Sequence, residues 1–232
     1  MNSNNNVSPA LIRFGGISGI VTIIFMPAII LQQTTGWFPD YDFQPGTMEK
    51  WLENLSVNPS LSLAGIGLFI VAIIAFFGVA LTLYRAHPKN DWFSTAALAA
   101  HILGITLALT AFLFAYGFTW GIADLLKAQS YESKDLIISA TMGMRGFLAS
   151  DDIATCLIGI GNGLAGLAWL KTGKLPKWLC WWGVVAGALV TIVLLMYFIP
   201  VFAFAAIGYP LVVLWFFLTG IVLLRKTDKI VD

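Results

Sequence analysis

The sequence predicts an all-α integral membrane protein, a bundle of six helices that each cross a lipid bilayer. Hydrophobic residues make up 59% of the 232 residues and charged residues only 11%, against about 25% charged in ordinary soluble domains. The apolar residues are grouped in six runs, each close to the length of about 20 residues that a helix needs to span the hydrocarbon core. These runs are apolar on every side, whereas strands of a membrane barrel alternate apolar and polar residues. The sequence therefore favours helices.

The predicted spans follow one another in a single transmembrane domain over residues 1–232. They are residues 11–31, 60–84, 92–120, 149–170, 178–199 and 205–224. The third run is long enough to tilt or to extend beyond the bilayer. The fifth and sixth runs are joined by a short apolar link, and Pro200 and Pro210 favour a break there, because proline disrupts a continuous helix.

Two segments between the spans are long enough to have structure of their own. In 32–58, four apolar residues recur at helical spacing after Thr47, which predicts a short amphipathic helix with Thr47 as its N-cap. These residues are Met48, Trp51, Leu52 and Leu55. We expect the helix to lie on the outer surface or to cap the bundle. The segment 135–147 fits an interfacial segment, a re-entrant segment or a long start to the fourth span.

The basic residues predict that both termini face the cytoplasm. With the N-terminus inside, the inner segments carry nine lysines and arginines and the outer segments carry four, which agrees with the positive-inside rule. The inner residues are Arg13, Arg85, Lys89, Lys171, Lys174, Lys177, Arg225, Lys226 and Lys229, and the outer ones are Lys50, Lys127, Lys134 and Arg145. An odd number of spans would break this alternation, so six spans are favoured.

Polar side chains inside the spans are the first candidates for function, because each costs several kcal/mol to place in lipid. His101 is the only histidine within a predicted span, and it lies roughly 13 Å from the inner end of the third helix. Asn162 lies at a similar depth in the fourth helix, so the two can form a hydrogen bond if the helices are neighbours. Such a pair either holds two helices together, at about 0.6–2 kcal/mol, or forms a ligand or proton site.

Two adjacent carboxylates open the predicted fourth span. They are Asp151 and Asp152, and Arg145 lies one to two turns before them. Carboxylates at a helix start are favoured by the free N–H groups and by the helix dipole, which predicts a capped and solvated helix end. The alternative is a cation or proton entry site built from these three residues.

The sequence contains no recognisable catalytic or cofactor-binding motif, so neither an enzyme nor a bound cofactor or metal is predicted. Zincin, serine-hydrolase and nucleotide-binding patterns are absent. The formal net charge of +1 gives no indication of a nucleic-acid partner. The glycines instead form pairs at a spacing that lets helices approach closely. These pairs are Gly15/Gly19, Gly117/Gly121, Gly159/Gly163 and Gly183/Gly187.

The last third of the chain carries a pattern of short motifs. A basic loop leads into Leu-Pro-Lys-Trp-Leu at 175–179, and Gly-Tyr-Pro at 208–210 precedes a closing Leu-Leu-Arg-Lys at 223–226. In these features the chain resembles small uncharacterised bacterial six-helix membrane proteins of the domain-of-unknown-function kind. The resemblance covers the last third well and the rest as topology. It implies a bacterial inner-membrane location and no assigned activity or site residues.

Two functional hypotheses fit these features best, ahead of a membrane enzyme whose site carries no recognisable motif. The favoured one is a non-catalytic bundle that associates with other membrane protein subunits or with itself, as an accessory, assembly or stabilising component of a membrane complex. The alternative is a small transporter or channel-like protein whose polar site lies around His101, Asn162 and the group of Arg145, Asp151 and Asp152. The lipid bilayer is the partner that the composition requires in both cases.

Overall fold

The computed structural model describes residues 7–35, 46–88, 91–128 and 133–231, and the regular structure in these ranges is helical throughout. The α-helices are α1 (Pro9–Val21), α2 (Phe25–Thr35), α3 (Thr47–Val57), α4 (Pro59–Ala86), α5 (Trp92–Ala128), α6 (Ser133–Leu170), α7 (Lys177–Ile192), α8 (Gly208–Arg225) and α9 (Thr227–Val231). Three 3-10 segments, Thr22–Ile24, Val193–Tyr197 and Pro200–Ile207, complete the list for these residues.

Within the described ranges, six helices are long and apolar enough to cross a membrane, so the predicted six-span bundle is confirmed. The first span consists of α1, the 3-10 turn after it and the start of α2. The second to sixth spans are α4, α5, α6, α7 and α8 in that order. Their apolar surfaces require contact with a lipid bilayer, because lipid is the environment in which such surfaces are stable.

The six spans form a closed ring in the order of the chain. Each span packs against the next, and the sixth packs against the first. The connections at 87–91 and 171–176 are short, and short connections place consecutive helices side by side and antiparallel. The start of the first span and the end of the sixth therefore lie at one end of the bundle, which we call the termini end. There Lys174 Nζ donates to the backbone oxygen of Ile230 at 3.1 Å and ties α9 to the 171–176 connection.

Three of the four predicted glycine pairs have members where two helices pack closely against each other. A Cβ atom added to Gly220 of the sixth span would lie 2.7 Å from the carbonyl oxygen of Gly16 and 2.7 Å from Cα of Gly19 in the first. A Cβ atom on Gly187 of the fifth span would meet the backbone of the fourth at Gly159 and Gly163. In contrast, a Cβ atom on either member of the pair Gly117/Gly121 would meet nothing within 4 Å among the described atoms.

The third and fourth helices are longer than the sequence predicted. α5 continues to Ala128, beyond the expected end at 120, and α6 begins at Ser133 and not at 149. The segment 135–147 is therefore a long start to the fourth helix, and its interpretation as a separate interfacial or re-entrant segment is wrong. With 37 and 38 residues, the two helices measure roughly 55 Å, against about 30 Å of hydrocarbon. Their hairpin projects at the opposite end.

Helix α3 caps the bundle at that opposite end, where it contacts the second, third and fourth spans. The four apolar residues predicted to share one face of this helix are all buried. The prediction of Thr47 as the N-cap is wrong, because Gly46 occupies that position with a φ of 87° and Thr47 is the first helical residue. A residue with a Cβ atom adopts this backbone conformation only at a steric cost, so the glycine makes the turn into the helix.

The fifth and sixth spans meet in an irregular hairpin. The α-helix of the fifth span ends at Ile192, earlier than the predicted 199, and α8 begins at Gly208. The predicted break is present, since the backbone is extended at Ile199 (φ −136°, ψ 98°) immediately before Pro200. Proline has no backbone N–H and cannot continue the hydrogen-bonded helix. The hairpin is strongly apolar and exposed, and Phe198 keeps 82% of its surface accessible.

Aromatic side chains fill the centre of the ring. Phe76 of the second span stacks on Phe216 of the sixth with ring centroids 4.5 Å apart. Nearer the opposite end, the ring of Phe112 in the third span lies 5.0 Å from those of Phe69 and Phe147. These rings come from different spans, so they tie the ring of helices together across its axis. The polar side chains described below lie between such layers.

Candidate functional site

The predicted hydrogen bond between His101 and Asn162 is present in the middle of the bundle. Nε2 of His101 lies 2.7 Å from Oδ1 of Asn162, and the two side chains are 2% and 0% exposed. Because an amide oxygen only accepts, this assignment makes Nε2–H the donor and leaves Nδ1 of a neutral imidazole as an acceptor. The antiparallel packing of α5 on α6 brings the two residues together at the same depth, as their positions in the sequence indicated.

Glycine on the fourth span makes room for the imidazole. A Cβ atom added to Gly161 would lie 2.5 Å from Cδ2 of His101 and 2.7 Å from its Nε2. On the third span, Gly104 lets the helices approach, because a Cβ atom there would lie 2.8 Å from the carbonyl oxygen of Ala154. The glycine-rich stretch around Asn162 thus provides the space that the ring of His101 occupies.

The His101–Asn162 pair is not fully satisfied by the chain itself. Within the described residues, Nδ2 of Asn162 is buried and has no hydrogen-bond partner. His101 also lines a cavity of about 10 Å³ that extends towards Tyr84, Ser94 and Trp169. That volume is close to the minimum that holds one water molecule. The site therefore combines an imidazole, an amide and a small adjoining space near the middle of the membrane.

A second buried polar pair lies where the sixth span begins. Tyr209 Oη donates to Oδ1 of Asp152 at 2.8 Å, and the side chain of Asp152 is buried. Asp151 beside it is half-buried. One turn further along α6, Cys156 is buried as a free thiol and donates to the backbone oxygen of Thr191 at 3.4 Å. The irregular hairpin lets the sixth span start at this level and places Tyr209 against the carboxylate.

The two carboxylates do not cap a solvated helix end, so that prediction is wrong. Helix α6 begins at Ser133, which places Asp151 and Asp152 more than four turns inside a continuous helix. Their backbone N–H groups are already used by the helix, and Asp152 is held by a side chain from another span. The alternative, a cation or proton entry site, remains a prediction.

Comparison with protein families identifies the family of this chain. A family model matches residues 15–226, from the first span to the end of the sixth. The chain belongs to the family described as domain of unknown function DUF4386. The predicted resemblance to a domain-of-unknown-function family is thus confirmed. Comparisons with curated proteins and with solved structures find no match. Both polar pairs lie within the part of the chain that the DUF4386 model covers.

The five residues predicted for one polar site are not brought together in this DUF4386 fold. Asp152 and Asn162 are ten residues apart on α6, a separation of about 15 Å, and neither carboxylate lines the cavity beside His101. Arg145 is exposed, and it does not line the cavity beside His101. The structure therefore divides the predicted site into two separate pairs.

Two buried or bonded polar residues of this DUF4386 protein, Tyr209 and His87, do not stand out in the sequence as site residues. Tyr209 was not singled out, because a tyrosine near the start of a span is typical of a membrane interface. His87 follows the end of α4, outside the predicted spans, yet it is buried, with Nε2 3.3 Å from the backbone oxygen of Ala168 and its ring edge-on to Trp169 at 5.3 Å. Within the described residues, no three His, Cys, Asp or Glu side chains come together as metal ligands.

Proposed function

We propose that this DUF4386 protein works by association, as an accessory, assembly or stabilising component of a membrane complex. The observation that carries this proposal is the filled interior of the ring. Aromatic rings from the second and sixth spans stack at its centre, and each polar pair is hydrogen-bonded between two spans. A bundle built in this way provides a rigid body in the membrane, and its outer surface is what remains for contact with other molecules.

The separation of the polar groups supports the same proposal. A transport pathway needs polar or water-filled sites that connect the two sides of a membrane. Here about 15 Å of fourth span separates Asp152 from Asn162, and Phe216 packs against His101 with ring centroids 5.8 Å apart. The cavity beside His101 has room for about one water molecule. The described side chains therefore favour a packed bundle over a transport pathway.

The outer surface offers a place for a further helix. Gly117 and Gly121 lie on the exposed face of the third span, and added Cβ atoms there would meet nothing within 4 Å. Small residues at this spacing let two helices come close enough for extensive van der Waals contact, which drives association in lipid. The other predicted glycine pairs contain members that already pack inside the chain. The pair Gly117/Gly121 is therefore available for contact with a helix of another chain.

The test uses the full chain, extracted in mild detergent and examined by native mass spectrometry, with Gly121→Leu compared against Gly67→Leu. A Cβ atom at either glycine meets nothing within 4 Å in the chain, so both changes start a leucine side chain in open space. We expect a stoichiometric assembly, with another membrane protein or with a second copy, that Gly121→Leu weakens and Gly67→Leu does not. A single-chain mass in mild detergent and also in lipid nanodiscs would overturn the proposal.

A second candidate function is a small transporter or channel-like protein. One observation favours it, the unpaired Nδ2 of Asn162 beside the cavity-lining His101 in the middle of the bundle, because polar groups at this depth often mark a solute or proton pathway. Flux measured in proteoliposomes tests it. Replacing His101 or Asp152 by Ala is expected to abolish the flux, and unchanged flux in both variants would remove these residues from any mechanism.

A further inference from the structure

The imidazole of His101 has two edges with different surroundings. The edge formed by Nε2 and Cδ2 lies against the fourth span, where it contacts Gly161 and bonds Asn162. The other edge, with Nδ1 and Cε1, is therefore turned away from Gly161. Since Nε2 carries the proton that bonds Asn162, Nδ1 carries a lone pair and needs a donor. Within the described residues, the side chain of His101 forms its hydrogen bond with Asn162, and Nδ1 is not one of the fully buried atoms that lack a partner. This acceptor therefore remains accessible to a small hydrogen-bonding molecule in the cavity that His101 lines.

The cavity leads from this histidine towards the termini end. His101 lines it together with Ser94 and Tyr84. Ser94 is seven residues before His101 on α5, in the first turn of that helix, which corresponds to a distance of about 10 Å along the helix axis. Within the described residues, neither hydroxyl group forms a hydrogen bond through its oxygen. Hydroxyl groups in such positions can bond a water molecule on its way to the ring.

The opposite side of His101 is closed by aromatic rings. The ring of Phe216 lies 5.8 Å from the imidazole and is itself stacked on Phe76 at 4.5 Å. Beyond these, Phe112 packs against Phe69 and Phe147 at 5.0 Å. No polar side chain from these positions faces the histidine from that direction. Access to His101 is therefore one-sided.

We propose that a single water molecule binds Nδ1 of His101 and that it enters only from the termini end, through the cavity beside Ser94 and Tyr84. The cavity itself supports a ligand here, since His101 lines it and its volume of about 10 Å³ is close to the minimum that holds one water molecule. The proposal gives the middle of the bundle contact with one side of the membrane, and it holds whether the protein works by association or by transport.

Hydrogen–deuterium exchange at the Cε1 carbon of histidine tests this proposal, because that hydrogen exchanges over days only where water reaches the ring. The full chain in lipid nanodiscs is incubated in heavy water and digested, and mass spectrometry reads His101 and His87 in separate peptides. We expect measurable exchange at His101. Ala97→Val, which narrows the cavity, should slow it by roughly tenfold, a factor equivalent to about 1.4 kcal/mol.

The matched control is Ala108→Val, three turns further along the same face of α5 and equally buried, but outside the cavity. It should leave the exchange at His101 unchanged. Ala165→Val narrows the same cavity from the fourth span and replaces Ala97→Val if that variant does not fold. The proposal is overturned if folded wild-type protein shows no exchange at His101 while the unfolded chain does. It is also overturned if cavity and control variants slow the exchange equally.

Discussion

The hydrogen bond between His101 and Asn162 illustrates how a single polar contact acts inside a membrane bundle. Both groups are buried, so removal of either one leaves the other without its partner. An unpaired buried group is penalised, whereas removal of both partners together can be nearly neutral. The contribution of the pair is therefore visible only when the two residues are changed separately and together.

We expect Asn162→Leu and His101→Phe each to lower the free energy of unfolding, and the double variant to lose less than the sum of the two. The coupling energy should be about 0.6–1.7 kcal/mol, the range for hydrogen bonds between membrane helices. Titration of mixed micelles with SDS measures the unfolding of the three variants and of the wild type. Strictly additive losses would show that the bond at 2.7 Å contributes nothing to stability.

Removal of the hydroxyl oxygen of Tyr209 should show what the hydrogen bond from Tyr209 to Asp152 contributes to stability. Tyr209→Phe removes the donor that lies 2.8 Å from Oδ1 of Asp152 and leaves a buried carboxylate with one hydrogen bond fewer. We expect a loss of about 1–3 kcal/mol in the free energy of unfolding. Tyr116→Phe is the control, because the hydroxyl of Tyr116 forms no hydrogen bond within the described residues. Equal losses of unfolding free energy in the two variants would contradict the hydrogen bond assigned between Tyr209 and Asp152.

The two polar pairs differ in how far the sequence predicts them. His101 and Asn162 lie at equal depth in consecutive spans, so hydropathy predicts that they can form a hydrogen bond if the third and fourth spans are neighbours. The packing of α5 on α6 shows that these spans are neighbours. The contact of Asp152 with Tyr209 depends on where the fifth and sixth spans stop. Those ends are set by the hairpin that contains the 3-10 segments Val193–Tyr197 and Pro200–Ile207, whose apolar residues give no hydropathy signal for a helix end.

At the scale of elements, the sequence predicts which segments are helices better than where they end. The six spans follow from apolar runs of sufficient length. The start of α6 at Ser133 does not, because the segment 133–148 is only partly apolar. It is helical because Leu136, Met144 and Phe147 are buried in the common core with residues of α3 and α5. A hydropathy window covers one segment at a time and therefore cannot detect tertiary packing of this kind.

The close approach of the first and sixth spans gives a prediction for glycine substitution. Gly220→Ala places a methyl group 2.7 Å from the backbone of the first span, and we expect a loss of about 1–3 kcal/mol, as for other overpacked contacts. Gly117→Ala is the matched control, because its methyl group meets nothing in the chain. Its stability should be unchanged or slightly higher, since alanine is the better helix former. SDS-induced unfolding measures the free energy of unfolding of both variants. Similar losses in Gly220→Ala and Gly117→Ala would contradict the observed packing.

At the scale of the whole molecule, the two ends of the ring are built differently. The termini end is compact, with short connections and a C-terminal helix held by Lys174. The opposite end carries the cap of α3 on the projecting α5–α6 hairpin, and beside it the short apolar hairpin of the fifth and sixth spans. The filled aromatic centre separates these ends. Any water that reaches His101 from the termini end therefore stays on that side.

The orientation of this asymmetric bundle is the last prediction. Nine of the thirteen lysines and arginines fall on the segments of the termini end, and the positive-inside rule assigns such an end to the cytoplasm. In a bacterial host, green fluorescent protein fused after Asp232 should fluoresce, and alkaline phosphatase fused after Ala128 should be active. Phosphatase fused after Pro88, on the termini side, serves as the inactive control. The reverse pattern would place both termini outside, and it would then be the external side that supplies water to His101.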